Sequence, residues 1–302
     1  MKTGYRRHEE LVKILKTLIF IAIGVTFLLP LLWMISSSLK TPAEVFQQDF
    51  HWLPEVPRWD NYKEVWSDSE VTMAQGYLNS IYITFFSIVF KLFFASLAAY
   101  AFAKIDFKGR GVIFMIFLST MMIPTEVTLI PRFMLFKELG LYNTRWVLIL
   151  LGTVSVYNLI IARTYFATSI PWELQEAATI AGCSNTGLFL KIVLPLSMPI
   201  VAVIALYYLV GHWNAYFNAL IYLSNEKLYP LQLFLRNILL MDQMTEMMEG
   251  DSEALQALMR RLQLKESMKY GIVVLSSLPV LVIYPFLQKY FVKGMMIGAI
   301  KG

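Results

Sequence analysis

Charged residues are scarce in this chain: they make up 16% of its 302 residues, whereas soluble globular proteins carry about 25%. This deficit, with a hydrophobic share of 57%, argues against a soluble globular protein and favours a membrane protein. Cysteine is nearly absent as well. Cys183 is the only one, which excludes a disulfide within the chain.

Several chemical signatures are also missing. The three histidines, His8, His51 and His212, are scattered and do not pair with Cys183 at metal-ligand spacing. The sequence lacks the phosphate loop G-x-x-x-x-G-K-[ST], so the chain is not itself an ATPase of that type. It also lacks a Ser/His/Asp or Cys/His constellation and any basic block with interleaved aromatic residues. We therefore expect no enzymatic activity, no metal, no cofactor bound by this chain and no nucleic-acid partner.

Six apolar runs are long enough to cross a bilayer as helices, which takes about 20 residues each. Within lipid, every backbone polar group must be satisfied inside its segment, so such runs become helices. We predict an all-α membrane protein with a single transmembrane domain over residues 1–302. The predicted spans are residues 16–36, 78–103, 111–130, 145–168, 197–223 and 270–291.

The first run has an alternative interpretation, because four basic residues precede it, as in a secretory signal peptide. The run is long for a signal peptide, however. Pro30 and Trp33 also stand where a small-residue cleavage site would be expected. These features favour a first transmembrane span.

Short basic connections predict the orientation. The N-terminus, residues 104–110 and the C-terminal tail are rich in Lys and Arg and fall on one side if the spans alternate, so that side is the cytoplasm. Residues 41–77, 131–144 and 224–269 then lie outside. The last of these also carries basic residues, but long loops follow the rule poorly.

Two of the outer segments have features of their own. Residues 41–77 are rich in Trp, Tyr and Pro, which fits an interfacial aromatic belt or a specific contact surface. Residues 224–269 contain Leu255, Leu258 and Leu262 at helical spacing among charges. This pattern predicts an amphipathic helix that lies on the membrane or packs on a partner.

The connection between the fourth and fifth spans, residues 169–195, is the most informative segment. Pro171 suits the first position of a helix, and Gly182 suits its end. A second short helix over residues 186–193 then leads to Pro195. One face of the first helix presents small and apolar residues at the spacing i, i+3, i+4, i+7: Leu174, Ala177, Ala178 and Ala181.

This connection resembles the EAA motif of ABC importer permeases, E-A-A-x-x-x-G-x9-I-x-L-P. The matching residues are Glu176, Ala177, Ala178, Gly182, Ile192, Leu194 and Pro195. The resemblance implies the type I ABC importer permease fold, in which this segment forms coupling helices that insert into a cleft on a separate ATPase subunit. The family often has Asp before the Gly, where this chain has Ala181, so one polar contact is in doubt.

The resemblance covers nearly the whole chain and is closest to the carbohydrate-uptake subfamily, the type of the smaller maltose-importer permease. Residues 98–103 and Trp213-Asn214 fit that subfamily, and residues 288–291 and 298–302 look most similar to complex-oligosaccharide permeases of Gram-positive bacteria. Such a permease implies a bacterial plasma membrane. It also implies three partners: a cytoplasmic ATPase dimer that binds ATP, a second homologous permease and an extracytoplasmic solute-binding lipoprotein.

The alternatives are an ABC permease for a non-sugar solute or an ion-driven secondary transporter. Secondary transporters often show inverted repeats and paired broken helices, which this sequence lacks.

Polar residues within the spans are candidates for the substrate pathway, because they are costly in lipid. Amides and aromatic rings suit the hydroxyls and faces of sugars, although ordinary hydrogen bonds between helices are the alternative. The candidates are Lys91, Tyr157, Asn158, Trp213, Asn214, Tyr216 and Asn218.

Lys91 carries the most specific hypothesis. It lies twelve residues after Asn79 in the second span, roughly 18 Å along a helix and past the middle of a hydrocarbon core about 30 Å thick. We hypothesise that it attracts an acidic sugar, such as a uronate-containing oligosaccharide. Alternatively, its long stem snorkels to the interface or it pairs with a carboxylate on the second permease.

Overall fold

The computed structural model describes residues 2–46, 51–67, 73–237, 269–286 and 288. All regular secondary structure in these ranges is helical, which confirms the predicted all-α class. The chain divides into two compact units. The first comprises Met1–Val71 with Asn237–Ser277, and the second comprises Thr72–Arg236 with Leu278–Gly302. The single domain over residues 1–302 stays a prediction.

Three described helices lie wholly in the first unit: α1 (Lys2–Ser38), α2 (Pro42–Phe46) and α3 (Asp60–Ser67). Residues 269–277, the first part of the last described helix, also belong to this unit. The amide nitrogen of Asn61 joins α3 to the end of α1, since it donates to the carbonyl oxygens of Ser38 at 3.0 Å and Lys40 at 2.9 Å. Trp52, in the predicted aromatic segment, packs edge-on against Trp33 of α1 with ring centroids 5.9 Å apart. At least one ring of that segment therefore contacts its own unit.

The second unit is organised around the long helix α4. Its described helices are α4 (Met73–Lys104), α5 (Arg110–Thr120), α6 (Leu129–Glu138), α7 (Arg145–Leu150), α8 (Val156–Ser169), α9 (Trp172–Ile180), α10 (Asn185–Leu188), α11 (Leu194–Leu196), α12 (Met198–Trp213), α13 (Phe217–Tyr222) and α14 (residues 231–237). A π-helical segment, Phe189–Val193, joins α10 to α11, and a 3-10 turn, Glu226–Leu228, precedes α14. Helix α15 (Lys269–Phe286) follows.

Helix α4 packs against α7, α8 and α12. Close approach is possible because small residues lie on its buried positions, among them Ser80, Ser87, Ala95 and Ala99. Small residues at such contacts let helix backbones approach each other, which is how membrane helices gain packing energy.

Two apolar clusters form at opposite ends of α4. The coupling-end cluster is centred on Ala99, Leu159, Phe166, Ala178 and Val193. The distal cluster is built from Ile83, Val147, Ile149, Tyr222 and Leu233. A cavity lies along α4 at the distal cluster, since Ile83, Leu148 and Leu151 of that cluster line it.

Three described helices are long and apolar enough to cross a membrane: Glu10–Ser38, Met73–Lys104 and Lys269–Phe286. A bent pair, Asn185–Leu196 with Met198–Trp213, would make a fourth if the two form one span, with an angle of 80° between them. These helices cover the predicted first, second and sixth spans and much of the fifth. The total of six spans stays a prediction.

The remaining predicted spans are interrupted in the structure. Residues 111–130 form the 11-residue helix α5, then turns around Pro124, then α6. Residues 145–168 form α7 and α8, which are separated at Gly152, whose φ of +65° suits glycine and ends the helix. Pro124 predicts a break near the outer end of the third span, because proline interrupts a helix, whereas hydropathy reports composition and does not reveal the break at Gly152.

Some sequence-based predictions lie outside the described residues. These are the amphipathic helix with Leu255, Leu258 and Leu262, and the basic C-terminal tail. The same holds for all but one residue of 287–291, the end of the sixth predicted span.

Candidate functional site

The predicted coupling segment, residues 169–195, begins with the helix α9 (Trp172–Ile180), which follows Pro171 in an extended conformation at the N-cap. Proline was therefore expected one position too far into the helix. At the other end Gly182 has a φ of +78°. The amide of Gly182 donates to the carbonyl of Thr179 at 3.0 Å, and that of Cys183 donates to the carbonyl of Ala178 at 2.9 Å. This pair of bonds is a Schellman motif, which ends α9 at the predicted glycine.

The second half of the segment is also helical, in agreement with the predicted short helix over residues 186–193. Ser184 caps α10 by accepting a hydrogen bond from the amide of Gly187 at 3.2 Å. The chain then widens into the π-helical segment, which contains Ile192. Ile192 and Leu194 pack partly buried against the coupling-end cluster, and Pro195 is exposed.

The residues of the coupling segment differ in how far they are exposed, and only the exposed ones are accessible to a partner. Glu176, Ala177 and Gly182 are exposed, whereas Ala178 is only 7% exposed and packs into the coupling-end cluster. Part of the predicted small-residue face is thus used within the chain itself. Ile180, at the end of the helix, is 88% exposed, which is unusual for so large an apolar side chain.

Lys104, at the end of α4, holds the coupling segment in place. Its side chain is 2% exposed, and its ammonium donates to the carbonyl of Ile170 at 2.6 Å. The ammonium also lies 4.5 Å from the ring centroid of Trp172, and the amide of Gln175 donates back to the carbonyl of Lys104 at 3.0 Å. In the sequence, Lys104 is recognisable only as a basic residue of a short loop. A lysine directly after an apolar run can either mark the cytoplasmic side of the membrane or anchor a neighbouring segment, and its position in the sequence is the same in both cases.

A cavity of about 230 Å³ lies farther along α4. Its lining comes from α4, α6, α7, α12 and α13, and includes Lys91 and Asn218. Lys91 is 4% exposed, and its ammonium donates to the carbonyl of Leu151 at 2.7 Å. Lys91 therefore faces the interior of the helix bundle and does not snorkel to the interface.

The other predicted pathway residues do not line this cavity in the described part of the chain. Tyr157 is 53% exposed and its ring packs edge-on against Tyr207, while Asn158 is buried. Trp213 is buried and its ring centroid lies 5.6 Å from that of Tyr77.

Two more predicted pathway residues lie near the end of α12. Asn214 is the C-cap residue of α12. Tyr216 is 43% exposed, with the Arg236 guanidinium 5.7 Å from its ring centroid. The structure therefore brings together Lys91 and Asn218 from the predicted set.

Arg132 and His212 line the cavity, although sequence reasoning did not select them. Arg132 falls in residues 131–144, which were interpreted as an outer loop, but α6 carries it against the distal cluster. His212 was regarded as an isolated histidine. Its position near the end of an apolar span, four residues after Tyr208, was the only sequence feature that could have indicated a role inside the bundle. The ring centroids of Tyr208 and His212 lie 6.5 Å apart.

If the spans alternate in direction, the connections of the second unit should lie in two groups, one at each end of α4. Residues 104–110 and the coupling segment meet through Lys104. At the other end of α4, the amide of Asn79 donates to the carbonyls of Lys227 and Tyr229, and Arg145 donates to its amide oxygen at 2.9 Å. The predicted cytoplasmic and outer connections of this unit therefore lie at opposite ends of α4. Within the described residues, no group of three or more His, Cys, Asp or Glu side chains could hold a metal ion.

Comparison with known proteins identifies the family to which this architecture belongs. Residues 91–297 match the family described as "Binding-protein-dependent transport system inner membrane component". The chain is 38% identical over 280 residues to Protein LplC of Bacillus subtilis, an alignment covering 93% of this chain and 91% of the relative. It is 34% identical over 279 residues to the polygalacturonan/rhamnogalacturonan transport system permease protein YtcP of Bacillus subtilis, covering 91% and 92% respectively.

A solved structure is also similar, the crystal structure of a bacterial ABC transporter involved in the import of the acidic polysaccharide alginate. It superposes with a TM-score of 0.81 at 29% identity, and the match covers 94% of this chain and 98% of that one. These findings confirm the type I importer permease fold and the resemblance on which it was predicted. The chain belongs to the family of binding-protein-dependent transport system inner membrane components and is a permease subunit of an ABC transporter.

Proposed function

We propose that this chain forms half of the translocation pathway of an importer for an oligosaccharide and that its coupling segment docks on a separate ATPase. One observation carries the proposal: α4 joins the cavity to the coupling segment. Lys91 at the cavity and Lys104 at the coupling segment are thirteen residues apart on one helix, which is roughly 20 Å at 1.5 Å per residue. A rigid helix of that length can relate movement at the ATPase to the shape of the pathway.

The coupling role rests on the residues of the motif. Glu176 and Ala177 are exposed, Gly182 ends α9 and Pro195 is exposed, while Ala178, Ile192 and Leu194 fix the segment on the coupling-end cluster. The exposed Ile180 supplies apolar surface that a cleft on the ATPase would cover. ATP binds to that partner, so this chain needs no cofactor and is not an enzyme.

The sugar substrate is favoured by the relatives. YtcP is named for polygalacturonan and rhamnogalacturonan transport, and the similar solved structure is that of a transporter involved in alginate import. Inside the chain, the pathway passes Lys91 and Asn218 at the cavity. The exposed residues Tyr157, Asn214 and Tyr216 would contribute where the path continues along a second permease. Asn158 and Trp213 are buried and would support the wall of the path from behind.

Four features of the assembly complete the proposal. The chain lies in the plasma membrane of a bacterium with both termini in the cytoplasm. It pairs with a second homologous permease, binds a cytoplasmic ATPase dimer and receives its solute from an extracytoplasmic binding protein. The family name itself implies the binding protein, and the alternation of connections along α4 supports the orientation.

The test is ATP-dependent uptake by the reconstituted importer. Proteoliposomes would hold this chain with its ATPase and second permease, with the binding protein and a labelled oligosaccharide outside and ATP inside. Uptake that requires ATP and the binding protein is expected. Uptake without ATP that follows a sodium or proton gradient would identify a secondary transporter instead. ATP-dependent uptake of a peptide or polyamine, with no uptake of sugar, would support the non-sugar alternative.

A further inference from the structure

The cavity on α4 is too small for a whole oligosaccharide. Its volume of about 230 Å³ lies below the range of about 300–1,000 Å³ typical of pockets that enclose a drug-sized ligand. It suits one sugar unit, or a substituent of one. A cavity of this size can therefore hold only part of an oligosaccharide.

The charge of the lining is one-sided. Lys91 and Arg132 line the cavity, and none of the lining residues in the described part of the chain is Asp or Glu. The single ion pair within the described ranges joins Lys63 to Asp60, in the other unit. Buried charges are ordinarily paired, because an unpaired charge in a medium of low polarity is costly. The cationic side chains of the cavity thus have no described anion to neutralise them.

Lys91 is positioned to receive such an anion. Its ammonium carries three donors, of which one is directed at the carbonyl of Leu151 at 2.7 Å. The ring centroid of Tyr208 lies 5.7 Å from the same ammonium nitrogen. A β-carbon placed on Gly152 would lie 3.8 Å from the ammonium nitrogen, so glycine at this position keeps a side chain from contacting that group.

Arg132 provides an independent observation. Its Nε atom is buried and has no hydrogen-bond partner among the described residues, although the side chain lines the cavity. A guanidinium is a planar donor that binds a carboxylate through two parallel hydrogen bonds. Thr84, whose buried hydroxyl also lacks a described partner, and Asn218 add uncharged groups to the same lining. Charged donors beside a hydroxyl and an amide fit a sugar ring that bears a carboxylate.

We propose that this cavity is a carboxylate-binding subsite for a uronate-containing oligosaccharide, in which Lys91 and Arg132 bind the sugar carboxylate while Asn218 and Thr84 contact its hydroxyls. The inference rests on the proposed function, since it names the class of substrate for the same pathway. It extends the hypothesis for Lys91 by adding a second cation and an enclosed volume. The competing role is structural: Lys91 would only fasten the end of α7 through Leu151.

The experiment compares two trimers in the reconstituted importer. One is a trimer of a hexuronic acid, and the other is the same trimer with its carboxyl groups reduced to alcohols. Each is supplied at the concentration that saturates the binding protein, and ATP-dependent uptake is measured with membrane levels matched. The variants are Lys91→Met, Lys91→Arg and Arg132→Gln. Lys137→Met is the control, because Lys137 is an exposed lysine on the helix of Arg132.

The expected result is selective loss. Lys91→Met and Arg132→Gln each lower uptake of the uronate trimer by about tenfold, because each removes a hydrogen bond between a charged donor and the carboxylate. Uptake of the reduced trimer stays within about twofold of the Lys137→Met control, and Lys91→Arg restores most of the uronate uptake.

Three outcomes overturn the proposal, and they are distinguishable. Equal loss of both trimers in Lys91→Met, without rescue by Lys91→Arg, identifies a fastener of α7. The subsite is also rejected if Lys91→Met and Arg132→Gln take up the uronate trimer at the control level, or if the unmodified importer takes up only the reduced trimer. Either result leaves the proposed oligosaccharide importer standing. If the unmodified importer takes up neither trimer or any other sugar with ATP, the proposed function fails and the subsite fails with it.

Discussion

The ammonium group of Lys104 donates a 2.6 Å hydrogen bond to the carbonyl oxygen of Ile170, which ties the end of α4 to the residue that follows α8. Ile170 is itself 3% exposed, so this carbonyl has little access to water. The return bond from Gln175 to the carbonyl of Lys104 secures the first helix of the coupling segment to the same point. Force applied to α9 by a partner would therefore reach α4 directly.

Replacing this anchor tests the mechanical connection. Lys104→Met retains most of the apolar stem but leaves the Ile170 carbonyl buried without its donor, at a cost of about 1–3 kcal/mol. We expect α9 to loosen and the ratio of substrate imported to ATP hydrolysed to fall severalfold. The measurement is uptake and hydrolysis in the same proteoliposomes. Lys108→Met is the control, since Lys108 is exposed in the same connection; an unchanged ratio in Lys104→Met would argue against the anchor.

The turn at Gly182 gives a second test of the coupling segment. Its φ of +78° is accessible to glycine and, at modest cost, to asparagine and aspartate, whereas other residues pay about 1–2 kcal/mol there. Aspartate also adds a negative charge at the C-terminus of α9, which is unfavourable there, and asparagine does not. No atom lies within 4 Å of the place that a β-carbon would take, so a substitution strains the backbone and not the packing. We expect Gly182→Asp to uncouple transport from hydrolysis while the chain still inserts. Gly182→Asn should retain more uptake, and normal uptake by Gly182→Asp would count heavily against the docking assignment.

The sequence predicted the coupling segment better than the cavity, for a physical reason. Helix caps are local, so Gly182 and the short helix after it can be inferred from neighbouring residues. The neighbours of Lys91 come from α6, α7 and α12, and pairings over such distances leave no pattern in one sequence. For the same reason Arg132 was missed. The break at Gly152 was hidden because a hydropathy window averages over it.

The segment after α1 offers a prediction on pH. Thr41 and Glu44 form a capping box: the amide of Thr41 donates to the Glu44 carboxylate at 2.7 Å, and the amide of Glu44 donates to the Thr41 hydroxyl at 3.2 Å. The backbone hydrogen bond from Thr41 is the main reason that the pKa of Glu44 lies below its ordinary value. A lowered pKa in the folded state means that the stabilisation is present above about pH 4.3, the ordinary value, and is lost as the pH falls through the lowered pKa.

Hydrogen exchange of the amides of Thr41 and Glu55, both of which donate to Glu44, measures this effect. We expect protection to fall below about pH 4 in the native chain and to be low, with a flat pH response, in Glu44→Gln. Thr41→Ala should cost about 1 kcal/mol locally through loss of the cap. Lys63→Gln, at an exposed position of α3, is the control. Equal protection in Glu44→Gln and the native chain would show that the carboxylate does not hold this turn.

The orientation of the chain is tested by reporter fusions. Alkaline phosphatase is active only outside the cytoplasm, so a fusion after Lys301 should be inactive, because the basic short connections place that end inside. A fusion after Lys63, in the predicted outer segment, should be active and serves as the positive control. Strong activity from the fusion after Lys301 would contradict the proposed topology.

The last prediction is that this chain transports nothing without a second, homologous permease. Tyr157 and Tyr216 leave large aromatic surfaces exposed on the chain as described. Exposed aromatic rings of this kind fit a protein interface better than a lipid-facing wall with polar neighbours. Proteoliposomes containing this chain, the ATPase and the binding protein should therefore show less than about one tenth of the uptake obtained when the second permease is added. Cross-linking in the complete importer provides the independent measurement, with cysteine introduced at Tyr157 or Tyr216 in a Cys183→Ser background and Lys137→Cys as the exposed control. Full uptake by the mixture that lacks the second permease would show that this chain forms the pathway with a second copy of itself, and the heterodimer would be rejected.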